Sequence, residues 1–249
     1  LLLDTDDDLV MDRSFVFVEG FNGLVQGAGA GVLAVGDDVY YTCIPDLWKL
    51  RDKDGDHKAD VRESLHTGYG VHVAFRGHDM HGLIMGPDGR LYFSIGDRGY
   101  NVRTADGHLE NTDSGGVLRC WPDGSGLQEV VTGLRNPQEL VFDSLGNLFT
   151  CDNNSDYGDI SRWTFLAPGG DAGWRFAYQY KMKTGPWLRE KMWLPYSENA
   201  PASQLPVIAN IADGPAGLTV FPGTAMGEQF RDKYFVSDFR GDPARSGVR

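Results

Sequence analysis

Short apolar runs alternate with Gly/Asp/Pro turns along most of this chain. His81 to Phe93 reads as a strand, a tight turn at Gly86-Pro87-Asp88-Gly89 and an aromatic second strand. Gln138 to Thr150 repeats it 57 residues later, turning at Asp143-Ser144-Leu145-Gly146. Val32 to Tyr41 is a shorter copy that turns at Gly36-Asp37-Asp38. Ala216 to Asp238 is a longer copy, with an insertion before Tyr234-Phe235-Val236. Each pattern predicts a β-hairpin. A lone hairpin cannot bury its apolar faces, so successive units must stack. No segment carries a long 3.6-residue pattern. Gly185 to Pro206 breaks the repeat, carries Trp187, Trp193 and Tyr196, and reads as an insertion or long loop.

A second periodicity overlaps the first. Asp4, Asp6, Asp8 and Asp12 recur 48 residues later as Asp52, Asp54, Asp56 and Asp60, and Gly20 recurs as Gly68. That period fits one four-stranded propeller blade of roughly 40–50 residues. The fold expected is all-β: a β-propeller of six-bladed type, with about four blades represented. An ordinary β-sandwich is the alternative, and four similar hairpins at blade-like spacing argue against it. Residues 1–249 read as a single propeller domain. Six such blades need about 288 residues before insertions. The chain is therefore expected to be an arc of a ring, a fragment of a larger protein with an exposed blade edge.

Composition changes this picture little. The 33 glycines sit in turn-like clusters, as many tight turns require. A net charge of −12 makes nucleic acid and anionic membranes poor partners. No apolar run is long enough for a membrane span. Cys43, Cys120 and Cys151 are far apart, so they form no CxxC or haem-attachment motif.

Two constellations carry chemistry. Asp52, Asp54, Asp56, Asp60 and Glu63 occupy positions 1, 3, 5, 9 and 12 of a loop, a spacing that suits the oxygen-seeking Ca²⁺. His57 stands at position 6, where such loops favour glycine. The earlier copy has Phe15 at its position 12, a poorer ligand set. The alternative is a polar turn between blades. The second constellation comes from repeat register. Equivalent starts of the innermost strands converge on one mouth of a propeller, and the 57-residue offset pairs Arg135 with His78 and Asn136 with Asp79. The matching place in the last unit is near Asp213. A histidine there can take a proton, and an arginine can grip an anionic group. The oxygen-rich run Asp152 to Asp159 follows, as a ligand loop or an Asx-type turn.

His78, Gly86-Pro87-Asp88-Gly89, Ile95-Gly96-Asp97, Gly133-Leu134-Arg135-Asn136-Pro137-Gln138, Asp152-Asn153, Asp159 and Gly173-Trp174 stand in order over about residues 78 to 180. Together they resemble the soluble quinoprotein glucose/sorbosone dehydrogenase family. The Asp-rich loops and His81-Gly82-Leu83 resemble more closely the propeller module of planctomycete-type membrane-bound dehydrogenases. The resemblance implies a pyrroloquinoline quinone (PQQ) cofactor over the central channel and hydride transfer from a sugar or alcohol hydroxyl. His78 would be the base, Asp79 would orient it, and His81 is a competing base three residues on. Arg135, Asn136 and Gln138 would hold the cofactor, with Gln26 as a further contact. Carbonyls near Asn154 and Ser155 would face an active-site Ca²⁺, supported by Asp159. A cytochrome c-type electron acceptor and a periplasmic or secreted location are also implied. One departure is Pro222, standing where the family's best-known branch has a cofactor-binding lysine. The alternative function is a non-catalytic propeller that binds carbohydrate or a protein partner. Trp187, Trp193, Tyr178 and Tyr180 are then candidates for stacking on sugar rings.

Overall fold

A computed structural model describes residues 1–72, 77–198, 204–223 and 225–249. Four larger sheets follow one another along the chain, beside two-stranded ones at Leu2–Leu3 with Arg13–Ser14 and Tyr100–Thr104 with Gly107–Asn111. Blade I comprises Gly31–Val35, Asp38–Cys43, Asp46–Arg51 and Val61–Thr67. Blade II comprises Met80–Met85, Leu91–Ile95, Gly115–Cys120 and Gln128–Leu134, and Gly170–Asp171 adds a parallel outer strand. Blade III comprises Pro137–Phe142, Leu148–Asp152, Arg162–Phe165 and Val207–Asn210; blade IV comprises Pro215–Phe221, Lys233–Asp238 and Gly247–Val248. The innermost strands are neighbours in the order I, II, III, IV, and among the described residues the four sheets do not close into a ring. This is the β-propeller architecture expected from the hairpin repeat.

The sequence periodicity explains the stacking. Alternation within Gly31–Val35 leaves Val32 exposed and turns Leu33 and Val35 onto blade II. Leu91–Ile95 is buried throughout, because a blade inside the arc is covered on both faces. One apolar core joins blades I and II through Tyr40, Leu47, Met80 and Phe93. A second joins II and III through Val131, Leu134, Leu140 and Leu148, and a third joins III and IV through Val141, Trp163, Leu218 and Val236.

The inner strands of blades II, III and IV share an irregularity near their starts. Register breaks fall between His81 and Ile84, Pro137 and Leu140, and Pro215 and Leu218. A bulge there re-aims the chain that leads in from the mouth. Gly82 sits in it at φ +62°, and an added Cβ would lie 3.0 Å from the Leu140 side chain.

The break in the repeat opens earlier than expected, before Gly185, with a cap of short helical turns, Tyr178–Lys181, Met182–Thr184 and Pro186–Arg189. Trp174, Trp187 and Met192 form its own apolar core, with Tyr178, Leu188 and Trp193 packed around them. Residues 199–203 of the expected insertion lie outside the described residues. Among the described residues, no helix is long and apolar enough to cross a membrane.

Candidate functional site

The ends of second strands hold the loops at the mouth. The Asp152 carboxylate accepts from Arg135 N–H at 3.0 and 3.1 Å and from Asn136 N–H at 2.8 Å. Asp238, at the equivalent place in blade IV, accepts from Asp213 N–H at 2.8 Å and Gly214 N–H at 3.2 Å. Both carboxylates are anchored by guanidinium groups. Arg162 donates to Asp152 at 2.5 Å within a pair that is almost wholly buried. Arg240 and Arg249 donate to Asp238 at 2.7 and 3.1 Å. Burial opposes the Asp238 charge, but those two arginines and the two N–H donors outweigh it and hold its pKa down to about 2.

These loops enclose a cavity of about 360 Å³, lined from blade II by His78, from blade III by Arg135, Asn136 and Gln138, and from the blade IV side by Asp213 and Arg240. Asn153, Asn154 and Asp156 close one flank, and Phe239 and Gly241 another. Its size and its convergent polar groups suit a small-molecule ligand. His78 Nδ1 lies 2.6 Å from Asp97 Oδ1, and both residues are buried. The Asp97 N–H donates to the Arg135 carbonyl at 2.7 Å, so the backbone ties the two blades together here. Arg135 Nη2 donates to Asp156 at 3.0 Å, while its Nε and Nη1 have no partner. Asn136 Oδ1 is also buried and unpartnered. Leaving such atoms unmatched costs about 1–3 kcal/mol each, more for a charged group, so their presence in a cavity wall calls for a ligand.

The structure brings His78, Arg135 and Asn136 together as the register predicted, with Gln138, a candidate from the resemblance, beside them, and it relocates other candidates. Asp79 does not orient His78. It pairs with Arg98 and accepts from Ala28 N–H at 3.0 Å; the carboxylate on His78 is Asp97. The hairpin register carries this signal: Met80 pairs with Ile95, so the residues two positions outward on each strand, His78 and Asp97, face each other. His81 lies on the inner strand with Nε2 buried and unpartnered, and burial lowers its pKa. Gln26 is spent on its own turn, accepting from Gly23 N–H at 2.7 Å. Arg240 was not anticipated; it arrives just past a second strand, outside the first-strand register that located the others.

Asp159 accepts from Ser155 N–H at 2.9 Å, from Ser155 Oγ at 2.7 Å and from the Trp187 indole at 2.7 Å. It therefore shapes the Asn154-Ser155 turn. Asn154 donates to Asp213 Oδ1 at 2.9 Å, across to the blade IV side. Trp187 and Trp193 pack into the cap core with Tyr178 and present no stacking platform; Tyr180 is exposed.

The Asp loops differ from the twelve-residue reading. Asp52, Asp54 and Asp56 bring oxygens within 4.8 Å of one another, and Asp4, Asp6 and Asp8 do the same. The two loops share their turns: His57 at φ 73° matches Leu9 at φ 70°. The earlier copy is therefore not the poorer one in this respect. Asp60 instead accepts from Lys53 N–H at 2.6 Å, as Asp12 does from Thr5 N–H at 2.7 Å. Glu63 lies opposite Lys49 in the strand Val61–Thr67, so it does not complete the loop.

Comparisons with known proteins follow the same lines. Residues 1–242 match the family model described as Domain of unknown function (DUF7133). Quinoprotein glucose dehydrogenase B of Acinetobacter calcoaceticus is 29% identical over 135 residues, an alignment that takes in 43% of this chain and 28% of that protein. A solved glucose dehydrogenase superposes with a TM-score of 0.61 at 14% identity, over 85% of this chain and 66% of that one. The PQQ-bound aldose sugar dehydrogenase of Streptomyces coelicolor gives 0.52 at 19% identity, over 86% and 62%. The chain thus spans just over a quarter of the curated relative and somewhat under two thirds of these two structures. It belongs to the family described as Domain of unknown function (DUF7133), and its propeller blades are similar to those of the soluble quinoprotein sugar dehydrogenases.

Proposed function

We propose that this chain carries a PQQ-dependent dehydrogenase site acting on a sugar or alcohol hydroxyl. The observation that supports it most is the cavity wall, where a carboxylate-backed histidine stands beside buried, unpartnered polar atoms of Arg135 and Asn136. Those atoms fit a quinone that carries carboxylates and carbonyls. When bound, such a quinone supplies an acceptor for the hydride of an alcohol C–H. Arg135 Nε and Nη1 would grip an anionic edge, Asn136 a polar edge, and Arg240 would add positive potential. With Nδ1 committed to Asp97, His78 has Nε2 left to take the hydroxyl proton. Calcium belongs to the same proposal, held by carbonyls of the Asn154-Ser155 turn and by the Asp52 loop. A cytochrome c-type acceptor and a periplasmic or secreted location rest on the resemblance alone.

The test is reconstitution of the full-length protein with the quinone and Ca²⁺, followed by dye reduction on a panel of aldoses and alcohols. Binding of the quinone together with substrate-dependent dye reduction that His78→Ala abolishes is the expected result. No quinone binding, or activity unchanged in His78→Ala, refutes the proposal.

A further inference from the structure

Asp97 does more than meet His78. Its Oδ1 faces His78 Nδ1 at 2.6 Å, and its Oδ2 accepts from the Trp174 indole N–H at 2.8 Å and from the Gln179 side-chain amide. Trp174 is fully buried in the cap core, edge-on to Trp187 at 5.1 Å, and Gln179 lies in the turn Tyr178–Lys181. An indole N–H can only donate, and the amide must present its NH₂ group to a carboxylate. Both donors therefore act on Oδ2 and leave Oδ1 to His78. The cap reaches this point from about 80 residues away in sequence, through these two bonds.

We infer that Trp174 and Gln179 are positioning residues that lock Asp97 in plane and so fix His78 as its Nδ1–H tautomer. Nε2 is then held as the acceptor on the cavity side. The arrangement parallels a histidine whose far nitrogen is set by a carboxylate that is itself hydrogen-bonded. The role given to that acceptor rests on the proposed dehydrogenase reading; the tautomer does not.

The test uses Trp174→Phe and Gln179→Met in the full-length protein, labelled with ¹⁵N on histidine. His78→Gln identifies the His78 resonances among those of all the histidines. Two-bond ¹H–¹⁵N spectra are expected to show a low-field Nδ1 proton on His78 in the parent protein. Each variant is expected to lose that signal or shift it upfield and to populate the Nε2–H tautomer. Gln179 is only half-buried, so Gln179→Met keeps the test open should Trp174→Phe fail to fold. An Nδ1–H signal unchanged in Gln179→Met overturns the role of Gln179, and one unchanged in both variants overturns the inference. Quinone affinity, measured separately by absorbance, is expected to stay at the parent level in both variants. Failure of the parent protein to bind quinone refutes the dehydrogenase reading and leaves the tautomer result standing.

Discussion

Glu139 gives the fold a pH dependence that can be worked out from its surroundings. It sits in the bulge of the blade III inner strand, against Cys151, Pro215, Gly217 and Leu218 of the blade III–IV seam. None of those neighbours offers a counter-charge, and among the described residues its compensating contact is a 3.3 Å bond from Leu140 N–H. Burial therefore pushes its pKa from 4.5 to about 7, with the Leu140 bond opposing only in part. The folded state holds this proton more tightly than the unfolded chain. Its contribution to stability is full below the unfolded value and is lost as pH rises through about 7. At about 1.4 kcal/mol per unit, the span corresponds to roughly 3 kcal/mol at full ionisation. Glu139→Gln mimics the protonated form and removes the titration. Urea unfolding at about pH 5 and about pH 8 is the assay. The parent is expected to lose roughly 2.5 kcal/mol between those values relative to Glu139→Gln, because the unfolded chain is already partly ionised at about pH 5, a difference of roughly 5–10 °C in Tm for a chain this long. Parallel pH profiles for the two proteins would falsify the reasoning, whatever their absolute stabilities.

Arg135→Met is expected to weaken quinone binding by roughly 10- to 100-fold, because hydrogen bonds from a charged group are worth about 1.5–3 kcal/mol; equilibrium absorbance titration measures it. Asp152→Asn leaves Arg162 buried without its counter-charge and is expected to cost about 3–5 kcal/mol in urea unfolding, with an apolar replacement of both partners recovering much of the loss. Calcium is expected to raise the melting temperature of the parent, and Asp52→Asn with Asp54→Asn is expected to abolish that part of the rise contributed by the loop; a melt indifferent to chelator refutes the calcium proposal.

The blades were legible because a hairpin writes its signature locally. Gly86-Pro87-Asp88-Gly89 and Asp143-Ser144-Leu145-Gly146 announce turns, and the flanking runs alternate or stay apolar according to how many faces are covered. The bulges were not legible, since a register break after His81 or Pro137 depends on what the neighbouring inner strand presses against it. The cap was seen only as a break in the repeat. Its order comes from tertiary packing of Trp174 and Trp187 rather than from helix propensity over its three short turns.

The site was legible in the part governed by repeat register, and the misassignments share a cause. Arg135 is equivalent to His78, two residues before its inner strand, and counting by 57 finds that pair; the same count sets Asn136 against Asp79. Their carboxylate partners belong to the second strands, and counting along first strands cannot reach them. Asp79, adjacent in sequence, took the role that hairpin pairing gives to Asp97, because adjacency along an extended chain sends successive side chains to opposite faces. The same rule explains Asp152 and Asp238: each closes a second strand, turns inward and captures two N–H groups of the loop before the next inner strand. Blade II has Ile95 at that pairing position, and there the backbone takes over, with Gly96 N–H on the Asp79 carbonyl and Asp97 N–H on Arg135. Two residues past that position, the Asp97 carboxylate meets His78 in the loop before the blade II inner strand. Blade II, which lacks a carboxylate at the pairing position, is the blade that presents His78 to the cavity.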